Sequence, residues 1–403
     1  MQKIAISTVL LLTVAGSAHA QFTQGNVVVN RFGTGSAALA ATGTVASLYE
    51  YLPSTANQGS AVSTLAIPST GVNSFVYSGT ATSEGFLTMS ANGQYMTIAG
   101  YNALAGATVV AQQSATVPRS IGRIDWAAGT VDTSTRLNNL GQPGNPRSSV
   151  SNNGTDFWMS TSAAGEWYAS PLGTSTGTQI SSAAPSNLRV SNIFAGQLFA
   201  STGSGPQGIY SIGAGLPTAG LVAPVSVLDT SSTSIVSPSA PASPYDFLLF
   251  NLSGSGAIQN GTVAYVADDR SIANNGGIQR WNYNGSSWTL AYILGTGTIA
   301  AGTTSTVGAR GLAGEVDGAG VVTLFATTAE STVNRLLRID DNLANINNGG
   351  ATFTTLATAA TNTAFRGVEY IPVPTPSAAA LIGLGGLIAS RRRRAAGCGR
   401  CRR

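Results

Sequence analysis

Six charged residues each open a strand-like run in this 403-residue chain: Glu84, Arg147, Arg189, Asp246, Arg310 and Arg366. The runs they lead include "EGFLTMSANGQYMTIAGY", "RSSVSNNGTDFWMST", "RVSNIFAGQLFAST" and "RGLAGEVDGAGVVTLFATT". Four of the six are arginines, whose planar fork suits carboxylate, sulfate or phosphate. If the runs are equivalent strands stacked about one axis, the six residues converge at one end of it. Clustered positive charge in a cleft attracts anions. The expectation is therefore a ligand-binding ring. Its bland alternative is a set of ion pairs in which Glu84 and Asp246 neutralise some of the arginines.

Other residues offer less. Asp268 and Asp269 enter the oxygen-rich loop "RSIANNGG" and could hold calcium, although their spacing matches no EF-hand. Asx hydrogen bonds in a turn would use them equally well. Glu315 and Asp317, two apart, could share a strand face as a carboxylate pair, but "VDGAG" reads as a hairpin with Asp317 inside it. The five tryptophans and twelve tyrosines are candidate sugar platforms, and most of the tryptophans read as core packing. Cys398 and Cys401 spell C-x-x-C without a second ligand pair or a βα context. The only histidine is His19. It lies in a segment expected to be cleaved, which leaves the mature chain without Ser-His-Asp, Cys-His or histidine-metal chemistry.

The elements that must position these groups are strands. Between residues 21 and 370, short runs rich in Val, Ile, Phe, Tyr and Thr alternate with Gly, Asn, Ser and Pro, and helical periodicity is nearly absent. Each unit continues into third strands such as "SIGRIDW", "GEWYASPL", "QGIYSIG", "GIQRWNYN" and "NRLLRIDD", then weaker fourth strands such as "TVDTSTRL", "TQISS", "WTLAYIL" and "FTTLATA". Four strands per repeated unit predict an all-β fold, a β-propeller. The last unit holds one strand, "RGVEYIP", and its partners are available near the start as "NVVVNRFG", "ASLYEYLP" and "VSTLAIP". Joining both ends of the chain in one blade predicts six blades, with seven as the runner-up. The phrase "VAYVADDRSIANNGGIQRWNY" resembles strands of NHL-like six-bladed propellers, a likeness that implies fold rather than function.

The ends carry an address. Residues 1–20 show a positive start at Lys3, an apolar run, and Ala18-His19-Ala20 as a cleavage pattern, which predicts a signal peptide. At the other end, "VPTPSAAALIGLGGLIASRRRR" sets Val373, Pro374, Thr375 and Pro376 before an apolar stretch and then Arg391, Arg392, Arg393 and Arg394. The uninterrupted apolar part is 12 residues, about 18 Å as a helix against a hydrocarbon core of about 30 Å. The tail resembles PEP-CTERM sorting signals cut by exosortases, with Thr375 where that family has Glu. The resemblance implies transient membrane contact, then release or transfer to the surface. The domains expected are a signal peptide (1–20), a propeller (21–370) and a sorting signal (371–403).

Charge is divided the same way. Residues 21–370 hold twelve arginines and sixteen acids, net −4, while residues 391–403 hold seven arginines and no acid. The alkaline balance thus belongs to the tail, and nucleic acid is not an expected partner. The expected partners are the secretion machinery, an exosortase-like enzyme and extracellular polysaccharide. The expected role is a non-enzymatic surface or matrix protein that binds polysaccharide, protein or an anionic ligand, with no cofactor beyond calcium. The alternative is a glycosidase or lyase built on a carboxylate pair. Mass spectrometry of the secreted protein should find an N-terminus at Gln21 and a C-terminus near Pro374–Pro376. An intact Arg403 would refute tail processing.

Overall fold

The computed structural model describes residues 22–373, apart from 109–110, 112–116, 141–143, 182–183, 186, 232–240, 252–256 and 298–305. Ala18, Ala20, Pro374 to Pro376, Arg391 to Arg394, Cys398 and Cys401 lie outside the described residues.

The described residues form six four-stranded antiparallel sheets. The first is β26 (Ala364–Tyr370), β1 (Val27–Phe32), β3 (Ala46–Tyr51) and β4 (Ser63–Ala66). The second is β6 (Thr88–Met89), β7 (Tyr95–Tyr101), β8 (Arg119–Asp125) and β9 (Thr130–Leu137). The third is β10 (Pro146–Ser151), β11 (Phe157–Thr161), β12 (Glu166–Ala169) and β13 (Thr178–Gln179). The fourth is β14 (Leu188–Phe194), β15 (Gln197–Thr202), β16 (Gly208–Ile212) and β17 (Pro224–Asp229). The fifth is β18 (Pro244–Asn251), β19 (Thr262–Asp268), β20 (Gly277–Tyr283) and β21 (Trp288–Leu294). The sixth is β22 (Ala309–Val316), β23 (Val321–Thr328), β24 (Arg335–Asn342) and β25 (Thr354–Thr358). A small pair, β2 (Gly43–Thr44) with β5 (Tyr77–Ser78), stands apart.

The innermost strands β6, β10, β14, β18, β22 and β26 each touch the next, and β26 touches β6, so the ring closes. This is a six-bladed β-propeller. The runner-up count of seven blades is not realised: among the described residues, the long interval between Glu84 and Arg147 holds the four strands of a single blade, β6 to β9. The end-joining blade is formed as the sequence implies, with β1 pairing β26 on one side and β3 on the other. Three strands escaped the sequence reading: the two-residue β2 and β5, and β17, "PVSVLD", an outer-edge strand with Val225 exposed.

Each blade interface has its own apolar core. Tyr265 and Ala267 on β19 pack toward the sixth blade, and Ala264 and Val266 pack toward the fourth. Alternate residues of one strand thus bury opposite faces, so second strands read as unbroken apolar runs. The same sharing recurs where Phe157 and Met159 meet the second blade and Trp158 the fourth.

Ring closure brings backbones together. The Gly367 amide donates to the Gly85 carbonyl at 3.0 Å, and a Cβ on Gly367 would lie 2.1 Å from the Leu87 nitrogen. Gly367→Ala should therefore lower unfolding free energy by about 2–3 kcal/mol in urea titration. Gly318→Ala, whose added Cβ meets nothing within 4 Å, should stay within about 0.5 kcal/mol of the parent.

Candidate functional site at the channel mouth

Every blade is an up-and-down meander, so the starts of the inner strands share one end of the channel with the loops between second and third strands. Five of those strand starts carry a register shift: at 146/148, 188/191, 244/247 and 309/312, and in β26 opposite Val29/Arg31. A bulge leaves residues outside the ladder and re-aims their side chains. The unpaired residues are Arg147, then Arg189-Val190, Tyr245-Asp246, Arg310-Gly311 and Arg366-Gly367.

The first bulge residue of each of these strands turns to the mouth. The Arg189 guanidinium lies 3.8 Å from the centre of the Tyr245 ring, and that of Arg310 lies 5.5 Å from it. Phe86, approaching β6, packs at 5.8 Å from Tyr245, and with Val190 these form a small apolar cluster drawn from three blades. Arg147 lies close to Arg189 and Tyr245, and Arg366 lies close to Arg310 and Tyr245. Glu84 lies beside this group, within the fields of Arg147 and Arg366.

Asp246 does not join the ring. It is the second bulge residue of β18, equivalent to Gly311 and Gly367, and Tyr245 holds the arginine position. Its carboxylate accepts from the Leu312 and Phe247 amides at 3.0 and 2.9 Å. Burial pushes its pKa well above the ordinary range, and Glu369 adds repulsion. The expected equivalence of Asp246 with the arginines is therefore off by one residue, because the bulge puts Tyr245 first. The signal for Tyr245 was present as an aromatic residue one place before Asp246 in "SPYDF".

The ring is anchored from behind. Arg310 pairs with Asp269 at 2.9 Å and donates to the Ala329 carbonyl at 2.6 Å. Arg189 donates to Ser243 Oγ at 3.0 Å and to the Pro244 carbonyl at 2.7 Å, and it lies where a Cβ on Gly203 would be. Arg366 donates to the Ser331 carbonyl at 3.2 Å. Arg147 reaches only the Ser83 carbonyl and Asn187 Oδ1, both at 3.4 Å. Among the described residues, Arg310 alone of the four is ion-paired, and the buried Nε atoms of Arg147 and Arg366 have no partner. Burial, then the neighbouring Arg310, lowers the Arg366 pKa to about 9. Burial raises Glu84 to about 7, against hydrogen bonds from the Ser78 amide and Tyr101 hydroxyl and the pull of Arg147 and Arg366. The arrangement presents guanidinium groups around an aromatic floor, which is chemistry for holding an anion.

The remaining candidates are occupied elsewhere. Asp268 accepts from Arg270, the Ser243 amide and Gln279, while Asp269 faces Arg310. The two adjacent carboxylates thus diverge to different arginines. Asp317 caps a hairpin by accepting from the Ala319 and Val321 amides, while Glu315 meets the Tyr370 hydroxyl. Trp126, Trp158 and Trp281 are buried, and Trp167 and Trp288 keep open surface.

These strands and this mouth define the molecule as a six-bladed propeller with a cationic channel opening. No protein-family model matches the chain, and no curated protein matches it. A structural genomics protein of unknown function from Bacteroides thetaiotaomicron is similar at a TM-score of 0.39 and 10% identity, over 86% of each chain. A polysaccharide lyase, an ulvan lyase bound to a glucuronate–sulfated rhamnose fragment, is similar at 0.33 and 9% identity, over 69% of this chain and 74% of its own.

The buried acids give the fold a pH dependence. Glu84 at about 7, Glu166 at about 8 and Glu369 at about 8 all lie above the ordinary 4.5, chiefly through burial. The folded chain therefore binds more protons than the unfolded chain from about pH 4.5 to 8, and stability falls as pH rises through that window. The urea midpoint should be higher at pH 5 than at pH 8.5. Glu166→Gln, which keeps an acceptor for the Ser191 hydroxyl, should flatten the slope. A midpoint that rises toward pH 8.5 would contradict this account.

Proposed function

We propose that this chain is an exported, surface or extracellular propeller that binds an anionic ligand, such as an acidic polysaccharide, at its arginine-ringed mouth. The observation that carries the reading is the convergence of Arg147, Arg189, Arg310 and Arg366 around Tyr245 with one ion pair among them. Structural arginines are usually paired, because an uncompensated buried charge is costly. An incoming carboxylate or sulfate would relieve the repulsion between Arg310 and Arg366. Export rests on the signal-peptide pattern and on the tail's likeness to sorting signals, whose exosortase-like processing would deliver the propeller to the surface.

The enzymatic alternative requires a carboxylate pair open to substrate. Asp246 and Glu369 repel one another in the channel, yet both Asp246 oxygens are taken by backbone amides. A binding role fits better.

Calorimetry with polygalacturonate and dextran sulfate, against uncharged dextran, tests the mouth. At least one polyanion should bind, more weakly at high salt. Arg147→Ala with Arg310→Ala should weaken it by about tenfold or more. Unchanged affinity in the double variant would sink the reading.

A further inference from the structure

A second site lies far from the chemistry of the mouth, in a cleft of about 660 Å³ lined by strands β17, β20 and β21 of the fourth and fifth blades. Tyr283 and Trp288 form its aromatic wall. They are directly opposed across the hairpin, with ring centres 5.0 Å apart at 41°. Both keep open surface, whereas Trp281, 3% exposed and hydrogen-bonded through its indole nitrogen to Gln279, lines the cleft as its floor. The turn that carries the pair is rigid. Asn284 Oδ1 accepts from the Ser286 and Ser287 amides, and Gly285 takes a φ of +93° that other residues adopt rarely. The pair is thus held in place before any ligand arrives, which lowers the entropy lost on binding.

Polar groups share the lining: Ser226, Asp229, Ser286 and Ser287 stand around the aromatic pair. Asp229 is the only charged lining residue among those described, and it is exposed. Its Oδ1 accepts from the Ser231 amide and hydroxyl, while its Oδ2 and the Tyr283 hydroxyl have no described partner. A cleft of this size that sets fixed polar groups beside aromatic walls has room and chemistry for a polar small molecule.

We propose that this cleft binds a neutral oligosaccharide. A pyranose ring has an apolar face of C–H groups, which suits the Tyr283 and Trp288 ring faces. Its rim of hydroxyls suits the free oxygen of Asp229 and the Tyr283 phenol. The carboxylate repels uronates and sulfate esters, so the cleft selects the opposite charge class from the arginine mouth. The two sites are independent, and the failure of one leaves the other standing.

The test uses the purified full chain with cellohexaose, laminarihexaose and maltohexaose, and hexagalacturonate as the charged comparator. Binding is read by calorimetry and by tryptophan fluorescence. At least one neutral hexaose should bind with a change in fluorescence. Trp288→Ala should weaken it by about tenfold or more, and Trp288→Tyr, which keeps a ring there, should retain affinity within about threefold. Arg147→Ala with Arg310→Ala should leave neutral binding unchanged. The proposal is overturned by binding of none of the three neutral hexaoses, or by affinity indifferent to both Trp288→Ala and Tyr283→Ala. It is also overturned if sedimentation shows a dimer that Trp288→Ala dissociates, since the cleft would then be an interface between copies.

Discussion

The bulge at the start of the inner strands governs much of this structure. Without it, residues 189, 245, 310 and 366 would sit in the ladder, and alternate side chains would point into blade interfaces. With it, one side chain per strand is released toward the axis. The next residue then faces the neighbouring blade at very short range. Gly311 and Gly367 fill that place, where an added Cβ would come within 2.6 Å of the Arg366 carbonyl and 2.1 Å of the Leu87 nitrogen. Asp246 fills it in the fifth blade by bonding to backbone amides instead. A single backbone device thus sets both the closeness of the ring and the direction of its arginines.

The apolar cores complement that device. Burial of both faces of each blade makes the blades depend on their neighbours, and the pairing of β1 with β26 completes the first sheet and closes the ring. The low charge content follows. Blade faces are consumed by packing, and the connections are dominated by Gly, Ser, Thr and Asn, which cap turns locally.

Charge is then concentrated toward the axis of the ring. Four arginines meet at the channel mouth, and Glu84, Asp246 and Glu369 lie along the channel with raised pKa values. Arg310 relies on Asp269, a neighbour from the loop after β19. An adjacent pair that looked like a metal ligand set serves as two separate counter-ions. The aromatic cleft on the fourth and fifth blades carries little charge, and its geometry derives from one hairpin.

Sequence alone determined the class and the count: repeated quartets of strands, six units, closure through both termini, and four arginines at an equivalent place. These follow from local patterns, since strand periodicity, turn residues and repetition are written in order along the chain. Tertiary structure decided what periodicity cannot encode. The bulge shifts the frame by one residue, so it replaced Asp246 with Tyr245 at the mouth. β17 was missed because its alternation, Val225-Ser226-Val227, is too short a run between Pro224 and Asp229 to stand out from a loop. Trp288 reads with the other tryptophans as core packing, because only the folded hairpin and the neighbouring β17 show that its pair with Tyr283 lines an open cleft. Asp268 and Asp269 read as a pair because their divergence depends on Arg270 and Arg310, the second of which lies 41 residues away.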